Sequence, residues 1–314
     1  MLLGFDIGGT KCAVLLGIEE GGMIRIVEKR VVATDLPVYE MIERLFAIAG
    51  EMLGEGGGRL TGVGISCGGP LSSKQGMILS PPNLIGWDRV PIVKMAQERF
   101  GVPVTLQNDA NACAVAEWRY GAGKGFDNVI FLTFGTGMGA GLILNGRLYS
   151  GISDLAGEVG HIRLAEHGPV GFGKAGSFEG FCSGGGIAQI AQIKARERFQ
   201  VGLPVGYCGG IGELPSITAK AVAEAAFGGD PVAIEVYRIC GRYLGKALAL
   251  FIDLLNPEVI VLGSIYGRTR SLLDPVMWEV IREEAYFGGV EACRIVPAGL
   301  GESIGDIAAL SLAL

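Results

Sequence analysis

The sequence predicts an α/β fold made of two similar halves facing a shared cleft, and three observations lead there. Apolar strand-like runs alternate with amphipathic helical stretches along most of the 314 residues. The chain opens with a strand, a glycine turn and a return strand, FDIGGTKCAVLL from Phe5 to Leu16. The same design recurs as FGTGMGAGLIL from Phe134 to Leu144, which is expected of a duplicated domain.

The elements follow in order. Leu2 to Ile7 is apolar and ends in the glycine turn, Cys12 to Ile18 returns, and Gly21-Gly22 leads into the alternating stretch Met23 to Ala33. Three antiparallel strands are therefore expected at the start. From Val38 to Leu53 the residues Met41, Ile42, Leu45, Ile48, Ala49 and Met52 recur at helical spacing, and the glycines at 54–58 read as the stop. A strand follows at Leu60 to Ser66, then a Pro-rich loop through Pro81-Pro82, a helix near Val90 to Phe100, a strand from Pro103 to Gln107 and a helix beginning at Asn108 or Asp109. Asp127 to Phe134 and Ala140 to Leu144 flank the second glycine turn.

Three helices are expected at Ser183 to Phe199, Ser216 to Phe227 and Asp230 to Leu255, the last ended by Asn256-Pro257. Val259 to Leu262 reads as a buried strand running into Gly263-Ser264, and Ser303 to Leu314 as a closing helix. No low-complexity linker separates the halves, so close packing with a hinge near residues 108–111 is expected.

Composition narrows the function. With 49% hydrophobic and 18% charged residues the chain is a globular, well-buried protein. A net charge of -6 without a Lys/Arg run argues against nucleic acid as a partner, since binding a phosphate backbone needs a basic surface. The seven cysteines stand singly, without CxxC pairs, and read as reduced thiols. No leader is visible, and no apolar run reaches the roughly 20 residues that span a bilayer. A cytoplasmic protein with a small-molecule substrate is expected.

Phosphate binding needs backbone N–H groups close to anionic oxygens, and glycine permits that approach because it lacks a Cβ. Two turns qualify. Gly8, Gly9, Thr10 and Lys11 follow Asp6, whose carboxylate at a strand end could hold magnesium directly or through water. Gly135, Thr136 and Gly137 form the second turn. Each turn also reads as a plain tight hairpin. A phosphoryl acceptor must shed its proton as the phosphoryl group arrives, and Asp109 in NDANA is the candidate base, although an Asp there also reads as a helix N-cap. Sugar hydroxyls are recognised by paired hydrogen bonds to acceptors and amides, for which Glu158, His161, Glu179 and Asn83 are candidates. The bland alternatives are a structural histidine and solvent-facing acids.

With these residues in view, the chain resembles the ROK family of sugar kinases and sugar-responsive repressors over nearly its whole length. The matching motifs, in order, are LGFDIGGTK from Leu3, GISCGGPL from Gly64, SPPNLIGW from Ser80, LQNDANACAVAEW from Leu106, FGTGMGAGLILNGRL from Phe134, GISDLAGEVGHI from Gly151, SFEGFCSGGGI from Ser177 and NPEVIVLGS from Asn256.

The resemblance implies two actin-like (ribonuclease H-like) domains with an interdomain cleft. The small domain would be residues 1–108 with the helix 301–314 packed back on it, and the large domain residues 109–300. It implies Asp109 as the base, with Asn108, Glu158, His161 and Glu179 on the sugar and Asn83 and Gly69 bordering it. Asp6, Gly8, Gly9, Thr10, Lys11, Thr136 and Gly137 would handle phosphate and magnesium, and Gly263 and Ser264 would lie near the adenosine. ATP, magnesium and a homodimer are implied with them.

One departure stands out. Family members typically hold a structural zinc with the histidine of GH and three cysteines, but here Val170, Phe172 and Ser177 occupy the cysteine positions. Only His161 remains of four ligands, so no structural zinc is expected. Packing, with Phe172 and Phe178 as candidates, should hold the loop around Glu179 instead.

The expected activity is ATP-dependent phosphorylation of a hexose or N-acetylhexosamine by in-line transfer. The rival is a non-catalytic sugar-sensing protein related to the repressors. Those carry a helix-turn-helix ahead of the DIGGT-like motif, and here that motif begins at once. An actin-like ATPase would explain the glycine turns but leave NDANA and AGEVGH without a role.

Overall fold

Each glycine turn joins two strands of a five-stranded sheet, and the two sheets have the same plan. The structure is a computed structural model, and it describes residues 1–56 and 58–314. The first sheet begins with β1 (Leu2–Ile7), β2 (Lys11–Glu20) and β3 (Met23–Ala33), which pair antiparallel in sequence as expected. After α1 (Val38–Gly56) come β4 (Gly62–Cys67), the short hairpin β5 (Leu71–Ser72) and β6 (Met77–Ile78), α2 (Ile92–Phe100), β7 (Val104–Asn108) and α3 (Asp109–Tyr120). The sheet order is β3-β2-β1-β4-β7, with β4 parallel to both β1 and β7.

The second sheet contains β8 (Val129–Leu132), β9 (Ala140–Leu144) and β10 (Arg147–Leu148). A small hairpin, β11 (Val170–Gly171) and β12 (Lys174–Ala175), precedes the helices α4 (Phe178–Phe181), α5 (Gly184–Gln200), α6 (Ala219–Phe227) and α7 (Pro231–Leu255). Then follow β13 (Val259–Leu262), α8 (Ile265–Glu284), α9 (Phe287–Ala292), β14 (Arg294–Pro297) and α10 (Ile304–Ser311). The order β10-β9-β8-β13-β14 repeats that of the first sheet position for position.

Contacts divide the chain into two compact units, residues 1–127 with 141–157 and 299–314, and residues 128–140 with 158–298. Helix α3 therefore groups with the first unit. Residues 108–111, expected as a hinge, instead run from the end of β7 into α3 inside that unit.

In the first unit, alternation along the strands sorts the core. Leu3, Phe5 and Ile7, with Cys12, Val14 and Leu16, join Met41, Leu45 and Phe46 of α1 on one face. Leu2, Ala13 and Leu15 join Ala112 and Ala116 of α3 and Leu310 of α10 on the other. Both faces are covered, which is why these strands are apolar throughout. The closing helix can lie flat on the sheet because position 64 is glycine: a Cβ there would overlap the Ala309 carbonyl oxygen.

Some boundaries move. The expected stop of α1 at 54–58 falls partly outside the described residues, and the helix runs to Gly56. The helices expected from Ser183 and Ser216 begin later. Ser183 caps α5, accepting from the Gly186 N–H at 2.9 Å, and Thr218 caps α6 in the same way at 3.2 Å. Residues 265–300 carry no expectation from sequence, yet they form α8, α9 and β14. Pro275 inside α8 and the non-helical Thr269 (φ −126°) interrupt the pattern that would have announced it.

Candidate active site

In open sheets of this kind ligands bind beyond the carboxyl ends of the parallel strands, and several of the residues singled out from sequence lie at or just past those ends. In the first unit the register aligns Ile7 of β1, Cys67 of β4 and Asn108 of β7 at that edge. Asp6 therefore stands one residue inside the edge, Gly69 two residues past it, and Asp109 one residue past it.

Asn108 is extended (φ −60°, ψ 147°) and caps α3, its Oδ1 accepting from the Ala110 N–H at 2.9 Å. The cap is thus Asn108, and Asp109 is the first helical residue, with one carboxylate oxygen, Oδ1, turned to the same Ala110 N–H at 2.8 Å. Asp109 is open to solvent although protein crowds it on most sides, and that crowding raises its pKa above the usual carboxylate value. The Ala110 N–H partly offsets the rise.

Asp6 behaves similarly. Burial first, then the charges of Asp109 and Asp306, push its pKa up to about 6 from 3.8, while Lys29 and Lys11 pull it down. Lys29 Nζ donates to both carboxylate oxygens of Asp306, at 2.7 and 2.8 Å, which places this ion pair next to Asp6. Asp6 thus feels the negative charge of two other carboxylates, a field that favours a cation beside it, although the three do not form a metal-holding group.

Because the folded pKa of Asp6 lies above its ordinary value, its stabilising contribution is complete below about pH 4 and is lost as pH rises through about 6. Ionising it in the ligand-free protein costs on the order of 3 kcal/mol. Asp6→Asn is therefore expected to raise the Tm of the ligand-free protein relative to wild type, by a margin that grows from pH 5 to pH 8. A margin that shrinks over that range in thermal melts would contradict the assignment.

The first glycine turn is closed by Gly8 N–H donating to the Lys11 carbonyl at 3.2 Å and by Thr34 Oγ1 donating to the Gly8 carbonyl at 2.7 Å. Gly9 packs directly on the loop that carries Asn83: any Cβ at position 9 would overlap the Asn83 carbonyl. Gly69 faces the Asn108 side-chain amide, which would stand 3.5 Å from a Cβ at position 69. The pairs Asp6 and Asp109, Gly9 and Asn83, and Gly69 and Asn108 are thus each brought together.

The second unit repeats the arrangement. Leu132 of β8 and Leu262 of β13 are in register, so the turn at 133–139 and Gly263-Ser264 leave the same edge. Gly135 N–H donates to the Gly137 carbonyl at 3.1 Å, and the Gly184 N–H at the start of α5 donates to the Gly135 carbonyl at 2.8 Å. Glu179 Oε2 accepts from the Met138 N–H at 3.0 Å and lies 2.8 Å from where a Cβ on Gly137 would be, so this carboxylate borders the turn. Gly160 is wedged between Met138 and Glu179, which sets Glu158 and His161 beside them. Gly263 N–H donates to the Leu132 carbonyl at 2.8 Å, and Ile265 N–H to the Phe134 carbonyl at 3.0 Å, fixing Ser264 against the same turn.

In the loop before Glu179, Val170, Phe172 and Ser177 stand where zinc-binding cysteines would be needed. His161 presents its ring to Phe172 edge-on, with centroids 5.4 Å apart at 84°. Ser177 Oγ is occupied as the cap of α4, accepting from the Gly180 N–H. Among the described residues no group of three or more His, Cys, Asp or Glu could hold a metal ion. Phe178 is buried as expected, but Phe172 is 70% exposed and packs into no core. The loop is held instead by Gln189 of α5, whose amide accepts from Val170 N–H at 2.9 Å and donates to Val170 O at 2.8 Å.

Sequence reasoning missed Glu117. Its carboxylate is fully buried and accepts from three backbone N–H groups, Ala122 at 2.7 Å, Gly299 at 3.0 Å and Leu300 at 2.9 Å. An acid at the end of the apolar run ANACAVAEW was the available signal. The Lys29–Asp306 pair was missed too, since its members lie far apart in sequence.

The model of the ROK family matches residues 2–314. The chain is 32% identical over 318 residues to the glucokinase of Streptomyces coelicolor, covering 100% of this chain and 97% of that protein. It is 30% identical to the N-acetylmannosamine kinase of Escherichia fergusonii, over 91% of this chain and 90% of that one. Among solved structures it is similar to a ROK family glucokinase from Streptomyces griseus in complex with glucose and AMPPNP, with a TM-score of 0.75 at 33% identity over 99% of this chain and 98% of that one. The two repeated sheets are thus those of two actin-like domains. The protein belongs to the ROK family.

Proposed function

We propose that this ATP-dependent carbohydrate kinase transfers the γ-phosphoryl group of ATP in line to a hydroxyl, the primary one, of a hexose or N-acetylhexosamine. The observation that carries the proposal is Asp109: a solvent-reachable carboxylate at the carboxyl end of β7, electrostatically coupled to Asp6 at the end of β1. Asp109 accepts the proton as the sugar oxygen attacks phosphorus. N–H groups of the turns at 8–11 and 135–137, other than those of Gly8 and Gly135 that close the turns, bind phosphate oxygens, where fixed dipoles stabilise developing charge without reorganising. Asn83, Gly69, Asn108, Glu158, His161 and Glu179 contact the sugar, and Gly263 and Ser264 lie near the adenosine. Magnesium, when bound, offsets phosphate charge; Asp6 would hold it, directly or through water.

The names of the relatives span glucose and N-acetylmannosamine, which favours this substrate class. We take the protein to be cytoplasmic and homodimeric, to bind no nucleic acid, and to work without zinc. No helix among the described residues is long and apolar enough to cross a membrane. ADP release with MgATP and a panel of glucose, mannose, fructose, allose and N-acetylmannosamine is expected to depend on at least one sugar. Release indifferent to every sugar would favour an ATPase, and no release at all a non-catalytic sensor.

A further inference from the structure

Between β10 and the turn Val159–His161, residues 150–157 form a strap that carries the chain directly into Glu158. Its backbone is left-handed at Gly151 (φ 74°), Asp154 (φ 57°) and Gly157 (φ 96°). Little burial holds it, because Ile152 is 103% and Leu155 50% exposed. Polar contacts hold it instead. Ser73 N–H donates to Asp154 Oδ2 at 2.9 Å, and Ser73 Oγ donates to Asp154 Oδ1 at 2.6 Å. At the near end Ala156 N–H donates to the Ser150 carbonyl at 3.1 Å, and Asn111 Nδ2 of α3 reaches Ser150 Oγ at 3.4 Å.

Ser73 sits just past β5, four residues after Gly69. The clasp therefore ties the segment that leads from Gly69 to the segment that leads to Glu158. Asp suits position 154 twice over. Its short polar side chain tolerates left-handed backbone better than most residues, and its two oxygens meet the two donors of a single serine.

We propose that Asp154 is a positioning residue for the sugar: by clasping Ser73 it sets the course of the strap, and through the strap the place of Glu158. It acts on sugar affinity and leaves the phosphoryl-transfer step alone. This rests on Glu158 being a sugar contact, as proposed above.

Three variants separate the clasp from the backbone. Asp154→Gly keeps the left-handed turn and removes both bonds. Ser73→Ala removes one. Asp154→Asn keeps both, since its Oδ1 can accept from the Ser73 N–H while its amide donates to Ser73 Oγ. Steady-state kinetics with glucose, or with N-acetylmannosamine if glucose is not turned over, should show the sugar KM of Asp154→Gly raised about tenfold and that of Ser73→Ala about threefold. The KM for ATP and kcat should stay within about twofold of wild type, and Asp154→Asn should restore the sugar KM. Hydrogen exchange at the Ser73 amide should accelerate in Asp154→Gly and not in Asp154→Asn.

An unchanged sugar KM in Asp154→Gly, a loss confined to kcat, or an Asn variant as impaired as the Gly variant would overturn the proposal. If wild type turns over no sugar, the proposed function fails on its own. Exchange at Ser73 then still judges the clasp, and a wild-type rate in Asp154→Gly would reject it.

Discussion

Asp109→Asn is expected to lower kcat by about 10²–10⁴-fold, the usual contribution of a positioned general base. Sugar binding measured by calorimetry should stay within about threefold of wild type, because the amide keeps the shape of the carboxylate and can still accept from the Ala110 N–H. The pH dependence carries a second signature. The protein crowded around Asp109 raises its pKa, and the base must be ionised to work. The wild-type rate should therefore fall as pH drops through a value above the ordinary carboxylate range, and the residual rate of the Asn variant should lack that acid limb. A variant that turns over sugar near the wild-type rate would remove Asp109 as the base.

Glu117→Ala is expected to destabilise the protein by about 3–5 kcal/mol, read as a fall in Tm of about 10 °C. Three N–H groups that now donate to one buried carboxylate would lose their acceptor, and each unsatisfied buried donor costs about 1–3 kcal/mol. Two of them, on Gly299 and Leu300, lead into the turn before α10. Glu117→Gln should fall between, since one amide oxygen can still accept while the NH₂ group opposes a donor. Both ends of α3 are under load, with Asp109 in its first turn and Glu117 eight residues later, roughly 12 Å along the axis. Loosening the far end is expected to cost activity as well as stability. An Ala variant that melts with wild type would show that water replaces the carboxylate at no loss.

Local pattern was enough for much of the fold. The opening strands β1 to β3, the helices α1 and α7 and the repeat of the strand–turn–strand design are written in periodicity and glycine placement, which act over a few residues. Helix α8 was not legible, because Pro275 and the irregular Thr269 break its period and packing, chiefly against α7, sustains it. The grouping of residues 108–111 was not legible for a related reason. The alternation of strand and helix there marks a change of element, whereas the division into units depends on which surfaces α3 buries, namely Ala112 and Ala116 against β2 and α10.

Residue types and motif order, taken alone, determined the candidates: two glycine turns, an acid ahead of the first, NDANA, AGEVGH and the missing cysteines of a zinc loop. Tertiary structure decided which of them meet and in what state. It made Asn108 the cap and left Asp109 free of that duty, set Asp109 and Asp306 close enough to raise Asp6, and put Gln189 to work holding the loop at Val170. It also buried Glu117 among three N–H groups and joined Asp154 to Ser73 across 81 positions of chain. Hydrogen bonds and charge interactions depend on distance in space, and a pattern read along the chain has no access to distances between residues that folding alone brings together.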